Sequence, residues 1–191
     1  MRLLTDREII ALCKKGDREA FNELILKYQN QVFNIAYGML SNYEDASDAA
    51  QEVFIKIYRG IPSFREQASF TTWMYRICSN VCSDILRKRQ RRRIHISIDS
   101  DEDENPTAHL PSDKPGPAEQ LEQSERQRAV REAIGTLRSE YREIIVYCDI
   151  EQMSYEEAAK ILRCPVGTVK SRLNRARNAL RKKLSEKREL F

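Results

Sequence analysis

The chain has 191 residues, 32% of them charged and 41% hydrophobic, with a formal net charge of +4. That length allows one or two small domains, and that composition supports modest cores rather than one large one. Two histidines leave little material for metal or triad chemistry, no glycine-rich phosphate loop is present, and no apolar run approaches the length of a membrane span.

Everything legible along the chain is helical, so an all-α fold is expected. Thr5-Asp6-Arg7-Glu8 forms a capping box, with a hydroxyl at the N-cap and a carboxylate three residues later. It opens a helix that ends before Gly16. Asp17 caps a second helix, which carries Phe21, Leu24, Ile25, Tyr28, Val32, Phe33, Ala36 and Leu40 at helical spacing and stops near Ser41-Asn42. A third runs from about Tyr43 to Arg59, with Ala46, Ala49, Ala50, Val53, Phe54 and Ile57 facing inward, and ends at Gly60-Ile61-Pro62. Residues 63–68 read as a loop. Ser69 caps a fourth helix, where Trp73, Ile77, Val81 and Ile85 form a stripe that core packing explains most simply. That helix closes on the basic run Arg87 to Arg93.

Composition then changes. Ile94 to about Pro117 holds Asp99, Asp101, Glu102, Asp103, Glu104 and four prolines, with little apolar periodicity. Low hydrophobicity and proline mark a flexible acidic linker. Fully extended, about 24 such residues reach roughly 80 Å. The expected domains are therefore 1–93 and 118–191, with 94–117 as the tether. In the second domain Leu121, Val130, Ile134 and Leu137 mark one helix, and Ile144, Ile145 and Tyr147 the next.

The stretch from Ser154 to Lys183 is the most informative. Ser154 and Glu157 form a second capping box, and Ala158, Ile161 and Leu162 give the helix one apolar face. Arg163-Cys164-Pro165 breaks it, because proline disfavours the helical conformation in the residue before it. A further helix starts near Val166 and runs to about Leu184. At roughly 100° per residue, Val169, Leu173, Ala176 and Leu180 share one stripe. Lys170, Ser171, Asn174, Arg175 and Asn178 lie opposite, with Thr168 at the rim. A helix fits the major groove of DNA, where Arg, Lys and Asn pair with base edges. A capped helix, a short turn and a basic second helix make a helix-turn-helix pattern, although a solvated basic helix has the same wheel.

Two other stretches read as contact surfaces. Asp45, Asp48 and Glu52 share one helix face at spacings of three and four, where like charges repel. Either this is an ordinary solvated acidic face or it docks a basic partner helix. In residues 64–76, aromatics interleave with arginine and small hydroxyls. Unpaired bases stack on aromatic rings while arginine neutralises phosphates. A domain-core boundary explains Phe70 and Trp73 equally well. Phe64 and Arg65, in the loop, are better contact candidates. The five cysteines (Cys13, Cys78, Cys82, Cys148, Cys164) are scattered, and Cys78 and Cys82 sit on one helix face. Zinc binding with His95 or His109 is one reading, and buried free thiols are the simpler one. No signal-peptide pattern stands before them, so a cytoplasmic chain with reduced thiols is expected.

Three motifs in order, D-A-S-D-A-A-Q-E-V-F (45–54), F-T-T-W-M-Y-R-I (70–77) with Asn80, and the helix-turn-helix of 154–177, resemble those of bacterial sigma factors. With two helical domains and a linker, the chain resembles the extracytoplasmic-function type. The resemblance implies a region 2-like first domain and a region 4-like last one. It implies that Asp45, Asp48, Gln51 and Glu52 dock on the β′ clamp helices of RNA polymerase, with further contact to the β subunit. Phe64 to Asn80, with Phe64, Arg65, Ser69, Tyr75, Arg76 and Asn80 as the candidates, matches the part that opens the −10 promoter element. Thr168, Lys170, Ser171, Asn174 and Arg175 match the recognition-helix positions that face the −35 element. Arg163, Arg172 and Arg177 are candidates for phosphate contacts. The linker is similar to the segment threaded through the polymerase cleft. No cofactor and no catalytic residue are implied. A monomer when free and an anti-sigma partner, which would hold the factor inactive, at the membrane in some cases, are further expectations. A stand-alone helix-turn-helix regulator is the rival reading. It would bind palindromes as a dimer, and it needs neither the acidic face nor the aromatic loop.

Overall fold

The computed structural model describes residues 4–65, 67–96 and 119–186. The elements are α1 (Asp6–Lys14), α2 (Arg18–Leu40), α3 (Tyr43–Gly60), a 3-10 turn (Ile61–Ser63), α4 (Phe70–Ile96), α5 (Glu119–Gly135), α6 (Ser139–Ile145), a π-helical segment (Val146–Ile150), α7 (Tyr155–Leu162) and α8 (Val166–Glu186). The all-α expectation holds throughout the described residues.

The caps fall where the sequence puts them. The Thr5 hydroxyl accepts the Glu8 amide at 3.4 Å, and the Glu8 carboxylate accepts the Thr5 amide at 2.8 Å. Asp17 accepts the amides of Glu19 and Ala20, and Asn42, a cap the sequence reading did not name, accepts that of Asp45. Ser69 accepts the Thr72 amide at 3.2 Å. Each side chain satisfies amides that the first helical turn leaves without a partner.

α2 is the axis of the N-terminal unit. Phe21 meets Tyr58 at 4.9 Å and Phe33 meets Tyr43 at 5.1 Å, so α2 and α3 run antiparallel. Leu24, Val32, Ile35 and Ala36 of α2 are fully buried against Ala46, Ala49, Val53 and Ile57 of α3. α1 is pinned to α2 by Asp6, which accepts from Lys27 at 2.5 Å and from the Tyr28 hydroxyl. Met74, Cys78 and Cys82 of α4 complete this core. The stripe Trp73, Ile77 and Ile85 lies at its edge, half-buried, with Val81 inside. Gly60 is required where it stands, since a Cβ there would lie 2.8 Å from the Trp73 ring.

The C-terminal unit wraps α5, α6 and α7 around the apolar stripe of α8. Val169, Leu173 and Ala176 are buried as expected, and Leu180 is half-buried. Between α6 and α7 the chain makes a π-helical turn that the apolar spacing does not reveal. It buries Val146, Tyr147 and Cys148 in succession, which an α-helical period would not do.

The two units pack against each other. Ile144, Val146 and Tyr147 are wholly excluded from water, at 0% exposure each, and Ile145 is buried with them. The Tyr147 hydroxyl donates to the Tyr75 carbonyl at 3.2 Å. Gly38 on α2 lets Val146 approach so closely that a Cβ would lie 2.9 Å from Val146 Cγ2. The Arg142 guanidinium is buried, with no carboxylate partner among the described residues. It donates to the carbonyls of Ile134, Gly135 and Leu137 at the end of α5 and, at 2.5 Å, to that of Met39 at the end of α2. A cation at two converging helix C-termini offsets their partial negative charge. Fully burying an aliphatic side chain contributes about 1.5–3 kcal/mol, whereas an exposed ion pair contributes about 0–1 kcal/mol. The apolar wedge of α6 and the π turn is therefore the larger part of what holds the units together.

One helix end differs from the sequence reading. α4 continues to Ile96, past its expected end at Arg93. The rest of the expected linker, and His109, lie outside the described residues. All five cysteines are free, four of them buried and Cys164 half-buried, and among the described residues no cluster could hold a metal ion.

Candidate nucleic-acid and polymerase interfaces

The helix-turn-helix is built as its caps dictate. Ser154 accepts the Glu157 amide at 3.2 Å while the Glu157 carboxylate accepts the Ser154 amide at 3.0 Å. Those bonds hold the Glu157 carboxyl below its ordinary range. α7 ends at Arg163 in the left-handed conformation (φ 52°), with the Cys164 amide closing back on the Ala159 carbonyl at 3.1 Å. Such a terminus satisfies carbonyls that the helix would leave open and turns the chain sharply. Pro165 then starts α8, accepting from the amides of Thr168 and Val169.

On α8 the side chains of Lys170, Ser171, Asn174 and Arg175 are exposed on the face opposite the buried stripe, with Thr168 half-buried at the rim. The Ser171 hydroxyl donates to the Thr168 carbonyl at 3.1 Å, which leaves it only acceptor capacity toward a base. Lys170 Nζ lies 5.8 Å from the Tyr155 ring centroid. The three candidate phosphate arginines differ. Arg163 projects from the turn and is exposed. Arg172 is half-buried and lies near Glu143, whose charge it helps to retain. Arg177 is already occupied, forming a fork with Asp149 of the π turn through Nε at 3.1 Å and Nη2 at 2.5 Å. Its contact ties α8 to the preceding element. Asp149, 28 residues upstream, carries no signal of this pairing in the sequence.

The expected −10 surface is divided. Phe64 is buried, contrary to its expected exposure as a loop residue. Its ring meets Trp73 at 4.9 Å and Phe70 at 6.1 Å, because the loop folds its aromatic inward and turns Arg65 out. Arg65, Ser69 and Asn80 are exposed. Tyr75 is 8% exposed, and its hydroxyl donates to Gln31 at 3.2 Å. Burial, with Glu151 and Glu157 nearby, pushes its phenol up to about 12. Arg76 donates through Nη2 to the Lys160 carbonyl of α7 at 2.7 Å. Ser79 donates to Glu143 of α6. The C-terminal unit thus occupies α4 from Tyr75 to Ser79, about one turn of the helix.

On α3, Asp48, Gln51 and Glu52 are exposed. Glu52 pairs with Lys56 one turn on, at 3.4 Å. Asp45 is the exception, half-buried and paired with Arg89 of α4, so its carboxylate is turned from the face that holds the other three.

Residues 24–92 match Sigma-70 region 2, and residues 127–180 match Sigma-70, region 4. The chain is 38% identical over 186 residues to the ECF RNA polymerase sigma-E factor of Haemophilus influenzae, covering 95% of this chain and 96% of that one. It is 35% identical over 175 residues to the ECF RNA polymerase sigma factor SigW of Bacillus subtilis, covering 91% and 93%. The chain belongs to the extracytoplasmic-function sigma factors. It binds core RNA polymerase, directs it to promoters and assists their melting, as the family does. The fold is that of RpoE bound to the anti-sigma factor NepR from Bartonella quintana, at TM-score 0.67 and 25% identity over 86% of this chain and 96% of that one. It is also that of CnrH bound to the cytosolic domain of CnrY, at TM-score 0.67 and 24% identity over 95% and 97%.

Proposed function

We propose that this sigma factor divides its work as follows. The N-terminal unit, residues 1–93 by function, docks on the β′ clamp helices of core polymerase through Asp48, Gln51 and Glu52 of α3. It opens the −10 element with Arg65, Ser69, Tyr75, Arg76 and Asn80. The C-terminal unit, 118–191, reads the −35 element with Thr168, Lys170, Ser171, Asn174 and Arg175 of α8. Residues 94–117 span the distance between them. The observation that carries this reading is the two-faced α8, with Val169, Leu173 and Ala176 buried and four donors and acceptors exposed opposite them. Bases are read by such donors, while phosphates only position the protein.

In this reading promoter opening is driven by binding energy, with no catalysis by this chain. Among the described residues no helix is long and apolar enough to cross a membrane, which suits work beside polymerase in the cytoplasm. An anti-sigma protein is a fitting antagonist, since the structurally similar RpoE is bound by one. Tyr75, Arg76 and Ser79 are engaged by the C-terminal unit. Gripping the two promoter elements therefore requires the units to part.

The test is run-off transcription on a genomic library with purified core polymerase, with and without the chain. New start sites sharing −35 and −10 sequences are expected. A start-site map unchanged by the chain would overturn the proposal.

A further inference from the structure

The acidic face of α3 has an apolar centre. Ile55 is 45% exposed and Tyr58 51% exposed, among the few large apolar side chains so placed in the described residues. Ile55 follows Gln51 by four residues, Glu52 by three and Asp48 by seven, so all four share the solvent face of α3. The buried face is built from Ala46, Ala49, Val53, Phe54 and Ile57. Tyr58 stands one turn further on, fixed by its edge contact with Phe21 at 4.9 Å. Nothing in the fold requires a β-branched apolar side chain at position 55, since it packs on none of these core residues' side of the helix. Polar residues around a desolvatable apolar side chain form the arrangement that concentrates binding energy in protein interfaces, where the rim excludes water and the centre supplies affinity.

We infer that Ile55, steadied by Tyr58, is the anchor of the polymerase contact, seated in an apolar hollow of a helical surface with a basic rim. The occupant follows from the charge of the rim and from continuity with the docking face proposed above, on which the inference rests. Asp48 and Glu52 set the rate and orientation of encounter, and Ile55 sets how long the complex lasts. Charges at a rim act on association and its salt dependence, while a desolvated anchor acts on dissociation.

The experiment measures association and dissociation of the full chain with core polymerase by surface-immobilised binding at two salt concentrations. Ile55→Ala and Ile55→Gln are expected to speed dissociation by about tenfold or more, with the salt dependence unchanged. Ile55→Met, which keeps apolar volume, is expected to restore most of the residence time. Asp48→Lys with Glu52→Lys is expected to slow association and flatten the salt dependence. Thermal melting of each variant checks that the fold is kept. If the charge reversals weaken binding while Ile55→Ala and Ile55→Gln dissociate at the wild-type rate, the docking face stands and the anchor is wrong. If the charge reversals also leave binding unchanged, the docking face itself is wrong and the anchor falls with it.

Discussion

Of the candidate DNA contacts on α8, Arg175, read for a base, is exposed and Arg177, read for a phosphate, is held by Asp149. Their roles therefore separate. Arg175→Ala is expected to cost about 1–3 kcal/mol at the base pair it reads and nearly nothing on a scrambled −35 sequence. Competition binding of the polymerase holoenzyme to matched and scrambled duplexes checks this, and an equal loss on both would make Arg175 a phosphate contact. Glu143 supplies a second case. Burial raises its carboxyl above the ordinary range, with Ser79 and Arg172 opposing in part. The folded state therefore binds this proton more tightly than the unfolded chain. The cost of the charge is absent in acid, where both states are protonated, and complete once pH exceeds the raised value. Glu143→Gln is expected to raise the melting temperature by a few degrees at neutral pH and to make no difference near pH 4, about where an unfolded glutamate protonates. A gain that is the same at both pH values would show that ionisation is not the cause.

The elements differ in how plainly the sequence announces them. α1, α2, α4 and α7 carry their own signals, a capping side chain followed by a 3.6-residue apolar period, and each starts where that signal stands. α7 is short, so its cap matters most. Ser154→Ala is expected to cost about 1 kcal/mol, read as a lower denaturant midpoint and weaker −35 binding, because α7 braces α8. The turn at Val146–Ile150 was not legible. Val146, Tyr147 and Cys148 are buried in succession, and only packing against α2 and α4 from another part of the chain decides that they wind more widely than an α-helix. Phe64 failed for a related reason. Loop position suggests exposure, but the rings of Phe70 and Trp73 offer it more apolar contact than solvent does. The exposed polar face of α8 was legible because it is the remainder of a local period. The pairings of Asp45 and Arg177 were not legible because their partners, Arg89 and Asp149, are remote in sequence.

At the scale of the molecule, the joint between the units lies across the face proposed to open the promoter. Gly38 is one of its close points. Alanine is ordinarily better than glycine inside a helix by about 0.5–1 kcal/mol, but a Cβ at 38 would lie 2.9 Å from Val146 Cγ2. Gly38→Ala is expected to leave α2 intact and to shift the chain toward parted units. Small-angle scattering should report a larger radius, and the isolated chain should bind single-stranded −10 DNA more tightly. A radius and an affinity equal to wild type would mean that Val146 yields locally and the joint survives.

Arg142 belongs to one unit and finishes a helix in the other, because the Met39 carbonyl has its guanidinium as donor. The halves are for that reason poor interchangeable cassettes. A chimaera joining residues 1–93 to a foreign C-terminal unit without an arginine at this place would strip the end of α2 of a ligand it is built to accept. Its builder should expect the two units to part more readily at rest, even with both DNA-reading surfaces intact.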